Sequence, residues 1–234
     1  MSIISCVIPV LNGERFLAEA LDSVFAQTHV PAEVIVVDDG STDGTPGVAA
    51  RYAERIICLR QENAGPAAAR NRGVTAANGQ LIAFQDADDL WHPEKLARQA
   101  ARFAARPDLD VSITHIRNFW ESELRQEETG LREHAIAKPA IPGYTLQTML
   151  VRRTAFTRVG PFDPALRFGE DIDWFMRARD EKLTLELMPD VLVYRRFHRG
   201  NLTRRVQTQA VRDGLVDSLC DSLQRRRRDR PDTR

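Results

Sequence analysis

The chain has 234 residues, 43% hydrophobic and 28% charged, with 33 basic and 33 acidic side chains and hence no net charge. That length can bury one substantial core with a smaller lobe attached, and the charge balance selects neither nucleic acid nor membrane as a partner. Cys6, Cys58 and Cys220 stand far apart, which excludes a disulfide framework or cysteine zinc site and favours a reducing, cytoplasmic setting. No apolar stretch reaches the roughly 20 residues needed to span a bilayer. The first apolar run has no basic region before it and meets Asn12-Gly13-Glu14-Arg15 too early for a signal peptide. The expectation is a soluble protein, or at most one peripheral to the inner face of the membrane.

Ile3 to Val10 is nearly continuous in apolar residues, as expected of a parallel strand buried on both faces. Asn12 offers a helix cap, and Phe16, Leu17, Ala20, Leu21, Val24 and Phe25 follow at helical spacing. Glu33 to Val37 reads as a second strand, running into Asp38-Asp39-Gly40-Ser41-Thr42-Asp43-Gly44. Pro46 opens a second helix, Ile56 to Leu59 is a third strand, and Ala64 to Ala77 is a helix closed by Asn78-Gly79. Leu81 to Phe84 forms a fourth strand. Pro93 to Ala105 follows as a helix with Leu96, Ala100, Phe103 and Ala104 on its apolar stripe, and then Val111 to Phe119 as a strand. This alternation predicts right-handed crossovers and an α/β fold with a mostly parallel central sheet covered by helices on both faces.

The fourth strand ends in Gln85-Asp86-Ala87-Asp88-Asp89, three carboxylates in four positions. Alternate residues of a strand share a face, so Asp86 and Asp88 point the same way at the carboxyl edge of the sheet, where ligands of open α/β folds collect. Carboxylates this close call for a cation, and hard oxygen donors on a loop suit Mg²⁺ or Mn²⁺ with positions left open for phosphates. The plainer alternative is that Asp89 caps a helix opened by Pro93. Asp38-Asp39-Gly40-Ser41 lies at the same edge. There a carboxylate can accept from a nucleobase imide or a ribose hydroxyl, although an ordinary turn with Thr42 or Asp43 as the next cap explains the same residues. Pro9-Val10-Leu11-Asn12-Gly13-Glu14 stands where a dinucleotide fingerprint would be, which disfavours nicotinamide and flavin enzymes.

Beyond Phe119 the alternation stops. Glu121 to Lys138 is charged and aperiodic and reads as a mobile surface segment. Tyr144 to Val151 regains an apolar pattern, and Phe156 to Asp163 forms a helix end and turn. Gly169-Glu170-Asp171-Ile172-Asp173 places acids in the first turn of a helix, which dipole and capping effects alone would favour. Leu183 to Met188 and Val191 to Tyr194 read as a short strand pair ahead of Arg195-Arg196-Phe197-His198. Val211, Leu215, Leu219 and Leu223 give a terminal helix one narrow apolar stripe, which docks on the domain or pairs two copies as a homodimer. Arg225 to Arg228 and Arg230 read as a solvated tail in preference to a weak contact with anionic lipid. No aromatic interleaving supports nucleic-acid binding.

Val7-Ile8-Pro9-Val10-Leu11-Asn12, Val36-Val37-Asp38-Asp39-Gly40-Ser41-Thr42-Asp43, Asn63-Ala64-Gly65 with Ala69-Arg70-Asn71-Arg72-Gly73, and Asp86-Ala87-Asp88-Asp89 together resemble the ordered motifs of family 2 glycosyltransferases. The resemblance covers about residues 1 to 200. It implies a GT-A-like α/β/α sandwich with a smaller acceptor-side lobe, and an inverting enzyme that uses a nucleotide-diphosphate sugar, most often a UDP-sugar, with Mn²⁺ or Mg²⁺. By that resemblance Pro9, Leu11, Glu14 and Asp39 line the nucleoside pocket, with Asp39 reading the base, and Arg70 lies near the base or diphosphate, unless it is a solvated helix residue. Asp86 faces ribose and metal, Asp88 is the firmest metal ligand, and His198 reaches the metal or the diphosphate unless it is a solvated loop histidine. Asp171 matches the general base, with nothing around it expected to keep it protonated at neutral pH. Leu11 replaces a common aromatic residue, and Gln85 a usual leucine.

The implied organisation is a nucleotide-sugar half over 1–119, an acceptor and catalytic-base half over 120–200, and a C-terminal helix and basic tail over 201–234. The acceptor is unspecified: a saccharide, a lipid-linked saccharide, a peptide or a small molecule. Two other functions compete. A sugar nucleotidyltransferase would need a glycine-rich phosphate loop that is absent after the first strand, and a noncatalytic nucleotide-sugar binder or scaffold would have little reason to keep the full acidic set.

Overall fold

The structure is a computed structural model that describes residues 2–124, 140–166 and 168–201. The strands are β1 (Ile4–Val10), β2 (Glu33–Asp38), β3 (Ile57–Arg60), β4 (Leu81–Phe84), β5 (Leu90–Trp91), β6 (Val111–Trp120), β7 (Ile141–Pro142), β8 (Leu150–Arg152) and β9 (Leu185–Phe197). The helices are α1 (Leu17–Phe25), α2 (Thr45–Ala50), α3 (Pro66–Ala76), α4 (Lys95–Ala105), α5 (Arg153–Val159) and α6 (Glu170–Asp180). Among the described residues the strands form one sheet in the order β3-β2-β1-β4-β8-β6-β9-β5, with β7 paired to β6.

The first half is the parallel α/β unit that the apolar runs predict. β3, β2, β1 and β4 are all parallel. β1 and β4 are buried on both faces, which is why their sequences run apolar without alternation. On one face Cys6, Ile8 and Val10 of β1 pack with Leu17, Leu21 and Val24 of α1 and with Leu96 and Phe103 of α4. On the other, Val7 packs with Ala67 of α3 and with the group formed by Phe156, Phe162 and Trp174. Trp174 is fully buried, its ring stacked 5.6 Å from Phe156. Gly73 of α3 lies where a Cβ would stand 2.3 Å from Val7 Cγ1, so the absent side chain is what lets α3 seat on β1.

The second half is mixed. β8 is antiparallel to both β4 and β6, and β9 restores the parallel sense along the whole of β6. The expected pair of short strands between Leu183 and Tyr194 is instead the single strand β9. Its register against β6 jumps from Met188 to Val191, bulging out Pro189, which has no N–H to give to a ladder, and Asp190.

Other local expectations shift for equally local reasons. Asn12 does not cap α1, which begins at Leu17 with no side-chain cap. Asn12 sits in the left-handed region (φ 53°), and its side-chain oxygen accepts instead from Thr42 N–H at 2.9 Å. Asp89 is not a cap either, because β5 intervenes before α4 and its buried carboxylate is engaged elsewhere. α3 starts at Pro66 because the preceding N–H groups of Ala64 and Gly65 are drawn to Asp39. The apolar stripe of the terminal helix, the arginine-rich end and nearly all of the charged segment from Glu121 to Lys138 lie outside the described residues. No described helix is long and apolar enough to cross a membrane.

Candidate active site

The carboxyl ends of β1, β2 and β4 converge on one rim, and side chains lace its loops together. Asn12 N–H donates to Ser41 Oγ (2.9 Å), Gly13 N–H to Thr45 Oγ1 (2.8 Å) and Glu14 N–H to Asp43 Oδ2 (3.1 Å), while Glu14 Oε2 accepts from Gly44 N–H (3.0 Å). Asp39 is buried. Its Oδ1 accepts from Gln61 Nε2 (2.7 Å) and Ala64 N–H (2.9 Å), and its Oδ2 from Gly65 N–H (2.9 Å). Gly40 makes this approach possible at φ 84°, where a Cβ would stand 3.0 Å from Asn63 N. Pro9 lies half-buried at the end of β1, and Leu11 just beyond it is 46% exposed. Pro9, Leu11, Glu14 and Asp39 are therefore brought to one neighbourhood.

Arg70 is buried rather than solvated on its alanine-rich helix. Its Nη2 donates to Asp86 Oδ1 at 2.7 Å and its Nη1 to Glu170 Oε1 at 2.6 Å, while Nε is buried with no hydrogen-bond partner among the described residues. One guanidinium thus ties the acid at the end of β4 to the first residue of α6. Asp171 follows at once, in the first turn of α6. Burial and then the adjacent Glu170 carboxylate push its pKa up to about 6, against the Ile172 N–H at 2.8 Å and the Arg70 charge. A carboxylate with that pKa is mostly ionised at neutral pH, as expected, yet close enough to neutrality to accept a proton.

A second cluster forms around Asp88. Its Oδ2 lies 3.0 Å from His198 Nε2 and accepts from Asn201 Nδ2 at 3.0 Å. His198 is buried, its ring 4.5 Å from that of Phe16, so it is not a solvated loop residue. Asp88 and His198 are brought together. Asp86 is not with them, because its carboxylate faces Arg70. Among the described residues no three His, Cys, Asp or Glu side chains close on a single point.

The donors present fit a divalent cation held by two protein ligands. A carboxylate oxygen and an imidazole nitrogen are donors that such an ion would accept, and here the two are hydrogen-bonded to each other at 3.0 Å. Gly200 N–H donates to His198 Nδ1 (3.1 Å), so the neutral ring carries its proton on Nε2. Ion binding through Nε2 would require the other tautomer.

Two residues of this site are not singled out by the sequence: Arg196 stands in a basic run, and Asn201 follows it without a motif, whereas Glu170 stands out as the acid paired with Asp171. The spacing of Asn201 three residues after His198 is the one local signal, since it lets the Asn201 side chain accept from His198 N–H at 2.6 Å.

The site thus sits on a parallel α/β sheet with laced loops and acids at its carboxyl rim, extended by a mixed half that carries a helix-terminal acid. Residues 5–162 match the profile described as glycosyl transferase family 2. An uncharacterized glycosyltransferase of Rickettsia typhi is 30% identical over 220 residues, covering 88% of this chain and 68% of that protein. The glycosyltransferase GlyA of Streptococcus pneumoniae is 35% identical over 123 residues, or 51% of this chain and 18% of its own. Among solved structures, S. aureus TarS 1-349 in complex with UDP-GlcNAc superposes with a TM-score of 0.70 at 22% identity, covering 92% of this chain and 66% of that one. A mannosyltransferase from Pyrobaculum calidifontis in complex with GDP-Man and Mn²⁺ gives 0.69 at 22% identity, covering 98% and 65%. These two likenesses establish the fold, and the chain spans about two thirds of each. The chain belongs to glycosyl transferase family 2.

Proposed function

We propose that the protein is an inverting glycosyltransferase that moves a sugar from a nucleotide-diphosphate donor, in the first instance a UDP-sugar, to an acceptor hydroxyl by single displacement. The observation that carries this reading is the Asp86–Arg70–Glu170 bridge, which joins the nucleotide-side acids to the helix end bearing Asp171. The solved relatives bound to UDP-GlcNAc or to GDP-Man with Mn²⁺ support a nucleotide-sugar donor.

Residues 1–119 would hold the nucleotide. Leu11 and Pro9 would lie against the base, Asp39 would fix the loop that reads it, and Glu14 would hold the rim closed through Gly44. Asp86 would face the ribose, and Arg70 would neutralise it and Glu170. In residues 120–200, Asp171 would take the proton of the acceptor hydroxyl as that oxygen attacks the anomeric carbon from the face opposite the diphosphate, which inverts the centre. A Mn²⁺ or Mg²⁺ ion held by Asp88 and His198 would supply positive charge to the departing diphosphate.

The test is a thermal-shift panel of UDP- and GDP-sugars with Mn²⁺ or Mg²⁺, followed by transfer and donor-hydrolysis assays on the hits. A ligand of the native state raises the melting temperature in proportion to the logarithm of its concentration over its dissociation constant. A UDP-sugar should give the largest metal-dependent shift and release UDP on turnover. Binding without release of nucleotide toward any acceptor class would overturn the catalytic reading.

A further inference from the structure

Arg196 is the most heavily engaged side chain near the rim, and the roles proposed above do not use it. It is 5% exposed on β9. Its backbone N–H donates to Asp89 Oδ1 (2.8 Å), Nε to the main-chain oxygen of Asp88 (2.9 Å), Nη1 to Glu121 Oε1 (2.5 Å) and Nη2 to Glu19 Oε2 (2.6 Å). The guanidinium lies between two rings, 4.6 Å from the centre of Phe16 and 4.8 Å from that of Phe119. Asn201 Nδ2 closes the circuit, bonding both the Arg196 carbonyl (3.1 Å) and the Asp88 carboxylate (3.0 Å).

An arginine needed only to neutralise Glu19 and Glu121 has no reason to spend its Nε–H on a carbonyl. That carbonyl belongs to Asp88, and Arg196 lies two residues before His198 on the same segment, so one planar group fixes the main chain at both sides of the 3.0 Å Asp88–His198 contact. The fork is what makes this possible. A lysine at the same place could satisfy the acids but could not hold two carboxylates and a carbonyl in one plane.

We propose that Arg196 is a positioning residue that sets the Asp88 carboxylate for the metal and diphosphate. This rests on the reading of Asp88 given above. The test compares Arg196→Lys, Glu19→Gln, Asp88→Ala and the double variant Arg196→Lys/Asp88→Ala with the parent, measuring UDP affinity in the presence and absence of Mn²⁺ by calorimetry and melting by circular dichroism. Glu19→Gln acts at an exposed partner and keeps the measurement available if Arg196→Lys folds poorly. Loss of a residue that orients a metal ligand typically costs about 10–100-fold in affinity. Arg196→Lys should therefore weaken Mn²⁺-dependent UDP binding by about 10-fold or more and leave metal-free UDP binding unchanged, with Glu19→Gln a milder version of the same. In the Asp88→Ala background Arg196→Lys should cost nothing further, because coupled residues are not additive. Additive losses, or lower melting temperatures with Mn²⁺-dependent affinity unchanged in both single variants, would overturn the positioning role. A parent protein that binds neither UDP nor Mn²⁺ would instead remove the nucleotide reading itself, and the role of Arg196 with it.

Discussion

Arg70 and Glu170 lie 100 residues apart in the chain and meet at 2.6 Å, with the other terminal nitrogen of Arg70 on Asp86. The pairing is buried on the arginine side, so removing the cation strands two carboxylates beside a third at Asp171. Breaking a buried ion pair from one side costs about 3–5 kcal/mol, and Arg70→Met should lose stability of that order in urea unfolding. The Arg70 charge also holds Asp171 down, so the midpoint of the rate against pH should move above its parent value near 6. A variant with parent stability and an unmoved midpoint would show that the bridge carries neither burden.

Asp171 separates chemistry from binding. Asp171→Asn keeps the size and removes the base, and transfer should fall by about 10²–10⁴ while UDP affinity stays within a few-fold of the parent. In the parent, the rate at saturating donor should rise with pH through about 6 and then level off, since the base works ionised. Stability runs the other way. A carboxyl raised in the folded state costs nothing at low pH and destabilises progressively between its ordinary value of 3.8 and about 6. Asp171→Asn should therefore melt higher than the parent at pH 7.5, with the advantage gone by about pH 4. Near-normal turnover in this variant would pass the role to Glu170 or Asp173.

Lys95 offers a prediction away from the site. It is fully buried in α4, its Nζ donating to Gln99 Oε1 at 2.9 Å and lying 4.2 Å from the centre of the Trp91 ring. Burial lowers its pKa from 10.5 to about 7. Below that value the folded protein must bury a cation, whereas between about 7 and 10.5 the unfolded chain binds a proton that the folded one does not, so stability from this residue rises with pH. Lys95→Met removes the hydrogen bond to Gln99 at every pH, but the cost of the cation only at low pH. The stability difference between Lys95→Met and the parent should favour the variant most near pH 6 and shrink toward pH 10. A difference that is flat over that range would mean that Lys95 is hydrated or paired.

The metal reading stands on Asp88. Asp88→Ala should leave the melting temperature within a few degrees of the parent, abolish the Mn²⁺-dependent part of UDP binding and nearly abolish transfer. Full transfer in excess chelator, or an active Asp88→Ala protein, would remove the cation from the proposal.

The parallel half of this fold is legible because its strands are buried on both faces: Ile4–Val10 and Leu81–Phe84 had no polar face to hide. The loops at their carboxyl ends stand out by composition, although aspartates and glycines there also build the turns and caps that lace the loops together. The mixed half reads poorly. β5 has two residues and no periodicity to detect, and β9 runs through Pro189 by bulging, which sequence pattern scores as a break. For Arg70 the sequence leaves a site residue and a solvated helix face both open, because its helix is rich in alanine and small residues carry little information about which face is buried. Arg196 was hidden for a different reason. Its partners Glu19, Asp88 and Glu121 come from three distant segments, and only the finished sheet brings them together.

The lacing of the rim has a thermodynamic consequence. Ser41, Asp43, Thr45 and Glu14 take up backbone N–H groups of one another's loops with protein groups alone. Fixing a residue's backbone costs about 1–2 kcal/mol in conformational entropy, and along these loops that loss falls within folding, before any ligand arrives. If the rim holds a nucleotide as proposed, that ligand would give up mainly its own rotations and torsions. On the proposed reading, such a rigid edge would discriminate among bases by outline instead of remoulding itself around them.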